Sequence, residues 1–239
     1  MKISQERLFL CLLLPLTVFS SCAARISGEL KRGGAGDFTV STNLEPRLSS
    51  LIRGFAAMAD GEAGAPVLNG EAISRSMSAA PGVESAALRN TGPVALEGPV
   101  KITNIRDFLA PARDKGGFII LEESAAGGRF RLTLNRDLGP DILSLISPEV
   151  TDYLSALMAP IATGEALSKT EYLELVASIY GKPIAGEISG ASIRASVDFP
   201  GRIRSARGGE FSGKRAEFDI PLLDLLVLES PLVYEVSWD

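Results

Sequence analysis

The chain has 239 residues, 46% of them hydrophobic, with a formal net charge of −5 and no histidine. That length supports a real core in one domain or two small ones, and an acidic balance without a basic tract argues against a nucleic-acid partner. The missing histidine removes Ser-His-Asp and Cys-His catalytic arrangements and the usual His/Cys zinc site, so no metal ligand set and no cofactor is implied, and only carboxylate or lysine chemistry is left to an enzyme.

Lys2 and Arg7 flank the start of an apolar run over residues 8–19, which is followed by Ser20, Ser21 and Cys22. A positive start, a short apolar core and small residues form the anatomy of a signal peptide. The run is roughly a dozen residues, against the ~20 that span a bilayer as a helix, so it reads as a leader. Val18-Phe19-Ser20-Ser21-Cys22 resembles the lipobox of bacterial lipoproteins, with Phe19 in place of the usual leucine. The resemblance implies a signal peptide over residues 1–21 and a lipid on Cys22, whose thiolate is the nucleophile for that chemistry. It makes the membrane the first partner and the cell envelope the location. Ala23 stands where an aspartate holds some lipoproteins in the inner membrane, which tilts the location toward the outer membrane. The alternative is an ordinary signal cut with Cys22 as a bystander. Cys11 leaves with the leader, so residues 22–239, read as one domain, have no disulfide and rely on burial.

After a very short tether at Ala23 and Ala24, residues 26–30 and 37–40 read as a hairpin turned at Gly33-Gly34-Ala35-Gly36. Pro46 suits a first helical turn, and Leu48, Leu51, Ile52 and Phe55 form one apolar stripe behind it. Residues 60–66 read as a loop. Asn69 caps a second helix, and residues 83–90 and 94–103 read as strands. Asn104 caps a short helix. Residues 118–121 and 129–134 read as strands around Ala125-Ala126-Gly127-Gly128. Residues 141–146 read as helix, and Ser147-Pro148 as the start of another, with Val150, Tyr153, Leu154 and Leu157 on one face. Ser168-Lys169-Thr170-Glu171 is a capping box ahead of Tyr172, Leu175, Val176 and Ile179 at helical spacing. Gly181 and Pro183 end that helix. Residues 192–199, 203–206, 215–220 and 232–238 read as strands, and 221–228 as a short helix or buried strand. The order predicts an α+β fold, a largely antiparallel sheet with several amphipathic helices packed on one face.

Ser196-Val197-Asp198-Phe199-Pro200-Gly201-Arg202-Ile203 and Gly208-Gly209-Glu210-Phe211-Ser212-Gly213, with the hairpin after Cys22, resemble the LppM-type lipoprotein domain. The match covers the two ends of the chain, about a quarter of it. Trp238 lies further from Gly213 than the pattern has it, and the middle helices have no counterpart. The resemblance implies an α+β envelope protein that binds lipid-like molecules, and it carries over no catalytic residue.

The helical stripes offer a candidate lining for a ligand cavity: Tyr153, Leu157, Met158, Tyr172, Val176 and Ile179. Amphiphile sites are concave and mostly apolar; the plainer reading of the same stripes is core. Leu222-Leu223-Asp224-Leu225-Leu226-Val227-Leu228 is the most hydrophobic run after the leader, and Asp224 within it needs a partner or solvent. Arg202, Arg204 and Arg207 read as the solvent face of a strand. Asp198, Glu210 and Asp219 would have to meet in a cleft to serve a carboxylate-based hydrolase. The leading expectation is a non-enzymatic, membrane-anchored lipoprotein that binds a lipid or amphiphile. The alternative is a structural or assembly subunit bound to an envelope protein partner, with no small-molecule site.

Overall fold

The structure is a computed structural model and describes residues 21–60, 68–110, 118–143 and 148–239. Residues 1–20 of the expected signal peptide, most of the 60–66 loop and the Ser147 cap lie outside the described residues.

The chain opens on β1 (Ser21–Leu30) and β2 (Gly36–Asn43), a hairpin closed by a 3-10 turn at Arg32–Gly34, where Gly33 and Gly34 take φ of 82° and 88°. Helix α1 (Pro46–Asp60) follows, then α2 (Gly70–Ala79), capped as expected by Asn69, whose side chain accepts from the Ala72 N–H. The strand expected over 83–90 is two short ones, β3 (Val83–Ala86) and β4 (Arg89–Gly92). Between them the Leu88 N–H donates to the Ser74 hydroxyl of α2 at 2.7 Å, while the Ala87 N–H still bonds the Pro99 carbonyl of the next strand. Then come β5 (Ala95–Ile102), α3 (Ile105–Phe108), β6 (Ile119–Ser124) and β7 (Gly127–Leu134).

The helical stretch is α4 (Gly139–Leu143), α5 (Pro148–Ala156), α6 (Pro160–Thr163), α7 (Lys169–Tyr180) and α8 (Lys182–Gly190). The capping box forms at α7, with Ser168 and Glu171 bonding each other's backbone. The helix expected to stop at Gly181 does so, but a new helix, not foreseen, begins at once. Gly181 takes φ of 94°, which L side chains rarely adopt, and Pro183 sits in the first turn of α8, where its missing N–H leaves nothing unmade. The chain ends with β8 (Ala191–Asp198), β9 (Ile203–Arg207), β10 (Glu210–Ser212), β11 (Arg215–Pro221), α9 (Leu222–Val227) and β12 (Leu232–Trp238).

The α+β class and the mainly antiparallel pairing stand, but the strands divide between two sheets. The larger has the order β10-β11-β8-β1-β2-β5-β3, with β4 also on β5; the smaller is β6-β7-β12-β9. One ladder is parallel, β1 on β8. Alternation gives the larger sheet one apolar face, with Phe38 and Val40 on β2, Ile26 on β1, Ala195 and Val197 on β8, and Phe218 and Ile220 on β11. The smaller sheet packs over the β11-β8-β1 half through Phe130, Tyr234, Val236 and Trp238, while α2 and α3 cover the β2-β5 half around Leu96, Val100 and Ile102. The other face of the larger sheet is polar, with Arg25, Ser27 and Glu29 of β1 beside Arg194, Ser196 and Asp198 of β8. Helices α1, α8 and α9 join the sheet at the end where β1 begins, and their apolar sides meet that of α7 in a core around Ile52, Tyr172, Val176, Ile188 and Val227.

Candidate functional site

Two sheets stacked about 10 Å apart normally fill the space between them with interdigitated side chains. Here an apolar cavity of about 240 Å³ remains. The larger sheet lines it with Ile26, Leu30, Phe38, Ala195, Val197, Phe218 and Ile220, the smaller with Phe130, Leu132 and Tyr234, and Ile105 and Phe199 complete the lining. Ile26, Phe130, Leu132, Val197 and Ile220 point between two sheets and are still only half-buried.

The cause is side-chain size. Pairing sets Ala195 between Ile26 and Phe218 in one row across the sheet, and Gly28 between Phe38 and Val197 in the next. The Phe38 ring lies over Gly28 so closely that a Cβ there would meet its Cδ1 at 2.8 Å. Nothing comparable covers the Ala195 methyl, which lines the void. Rings stiffen the far wall: Phe199 packs on Trp238 with centroids 5.2 Å apart, and Phe218 meets Tyr234 edge-on at 5.7 Å. Tyr234 carries the single side-chain polar atom of the lining. Burial, and then Asp224 and Asp219, push its hydroxyl above the usual tyrosine range.

The stripe named from the sequence lies in the helical core instead. Leu157, Tyr172 and Val176 are buried there, and Tyr153 packs against them. The Tyr172 hydroxyl donates to the Leu157 carbonyl at 3.2 Å, and burial pushes its pKa up. Met158 follows α5 with φ of 50°, and Ile179 on α7 is 50% exposed. None of the six lines the cavity between the sheets.

Most of the charged candidates are paired off, although Glu210 stands opposite Glu217. Arg215 donates twice to the Asp198 carboxylate, at 2.9 and 2.8 Å, and holds it below the usual carboxylate range. Asp219 faces Arg194 at 3.6 Å, so the two carboxylates sit opposite arginines and not opposite each other. Asp224, on helix α9, finds its partner in Lys169 at 2.9 Å. Arg204 pairs with Asp239, and Arg207 stands opposite Glu235. Among the described residues no group of three acidic or thiol side chains is placed to hold a metal ion. Cys22 is the second residue of β1, opposite Ser192 in the parallel ladder, so the strand runs back through the tether expected at Ala23 and Ala24.

The sequence did carry a signal for the cavity. Ala195 is a small residue at an inward position of a strand whose partners there, Ile26 and Phe218, are bulky. Only the pairing register makes them neighbours.

No family model matches the chain, and no curated protein matches it. Among solved structures, the chain is similar to the folded domain of the LppM protein of Mycobacterium tuberculosis, determined by NMR. The two are 9% identical over 92% of this chain and 91% of that one, with a TM-score of 0.37. A TM-score of that size establishes no shared fold.

Proposed function

We propose that the protein is a membrane-anchored lipoprotein of the cell envelope that works without catalysis and takes the apolar part of a lipid or other amphiphile between its two sheets. The observation that carries this reading is the unfilled, wholly apolar space around Ala195. Binding pockets are concave and mostly apolar, and a hydrocarbon placed here would cover the half-buried side chains that line the space. The anchor rests on residues 18–22 of the sequence. With Cys22 already in β1, a lipid there would hold the sheet at the bilayer surface with no spacer.

The assembly-subunit reading asks for a contiguous exposed apolar patch. Among the described residues the large exposed hydrophobics, Ile120, Ile179 and Phe211, sit on three separate elements, β6, α7 and β10.

Native mass spectrometry of the full-length protein extracted from its own membranes tests the ligand. Masses shifted by one noncovalent lipid are expected, and these should be lost when Ala195 is replaced by phenylalanine. Bare protein in every preparation would contradict the reading.

A further inference from the structure

We infer that the cavity selects by chain length, enclosing one unbranched hydrocarbon chain of about ten carbons and leaving the head group and any further carbons outside. This rests on the reading that the space between the sheets takes a hydrocarbon chain.

The volume sets the number. Benzene fits an apolar cavity of ~150 Å³, which is about 25 Å³ per carbon. At that density 240 Å³ holds about ten carbons. That volume also favours one chain over two. Two chains sharing it would each have about five carbons enclosed, with the rest in water. Polarity fixes the direction of entry. The surface of the lining is wholly aliphatic and aromatic, and a buried carboxylate or sugar would go without partners. The methyl end therefore enters and the head stays at the rim.

The expected signature is a break in a homologous series. Each enclosed methylene tightens binding about fourfold, and a methylene beyond the cavity adds little. Trp238, the only tryptophan in the chain, stacks on Phe199 of the lining and reports occupancy.

The test titrates the full-length protein with straight-chain fatty acids from hexanoate to hexadecanoate, each below its aggregation threshold, reading Trp238 fluorescence. Dissociation constants should fall about fourfold per carbon to about decanoate and then level. Ala195→Leu puts three carbons into the space and should move the break to about seven carbons. Ile26→Ala removes three and should move it to about thirteen. A fall that continues unbroken to hexadecanoate overturns the inference, as does a break that neither variant moves, and in both cases chain binding as such survives. No binding at any length overturns the underlying reading too.

Discussion

Replacing Ala195 by leucine should stabilise the ligand-free protein, against the usual direction of a substitution that enlarges a residue between two sheets. A cavity of about 240 Å³ beside the Ala195 methyl leaves room for the larger side chain. Leucine returns three carbons to that space. At ~0.8 kcal/mol per buried carbon, less ~0.5–1 kcal/mol of rotamer entropy, the gain is about 1.5–2 kcal/mol. For a domain of this size that raises Tm by about 3–8 °C. Urea and thermal unfolding of delipidated protein, followed by circular dichroism, measure it. If side chains already filled the space, the same leucine would be overpacked and would cost about 1–3 kcal/mol. A loss of that size would refute the cavity and the reasoning built on it. A gain in stability that coincides with loss of ligand is the trade expected where a hollow is kept for function.

Glu187 of α8 caps α1 across the fold, accepting from the Arg47 and Leu48 N–H groups at 3.3 and 2.7 Å. Glu187→Ala should cost about 1–2 kcal/mol in urea unfolding and Glu187→Gln less; wild-type stability in both would deny the cap any role. On the outer face of the smaller sheet, Arg129 donates to both Glu235 oxygens, at 3.1 and 2.9 Å, and holds that carboxyl below its ordinary range. The stabilisation it gives is therefore complete above the ordinary glutamate pKa of ~4.3 and is lost as pH falls through the lower folded value. Urea midpoints between pH 2 and 6 should fall less steeply in Glu235→Gln, and parallel curves would contradict the pair. Cys22→Ala should move the full-length protein from the detergent phase to the aqueous phase after Triton X-114 partition; retention in the detergent phase would deny a lipid on Cys22.

Local chemistry was legible wherever it is complete within a few residues. The Asn69 and Asn104 caps and the Ser168–Glu171 box formed as read, because each satisfies helix N–H groups from within the same turn. The hairpins at Gly33–Gly36 and Ala125–Gly128 formed as well, because each turn joins strands adjacent in the chain. Helix α8 was not legible because Pro183 ends a helix when inside it and suits one when in its first turn. Alternation showed which faces of the strands are apolar but not what covers them. The parallel pairing of β1 with β8 joins residues far apart in sequence, and without it two sheets cannot be told from one. The cavity between the sheets was hidden on the same account. Helical stripes such as Tyr172 and Val176 announce themselves by spacing and turn out to be core, whereas Ala195 and Gly28 matter only through strands laid beside them.

Methyl-resolved NMR of the protein titrated with decanoate puts the hydrocarbon chain in one place or another. Shifts and intermolecular contacts should concentrate on Ile26, Leu30, Leu132, Val197 and Ile220, which line the space between the sheets. Shifts confined to Leu157, Val176 and Ile179 in the helical layer, or an unchanged spectrum, would contradict the account.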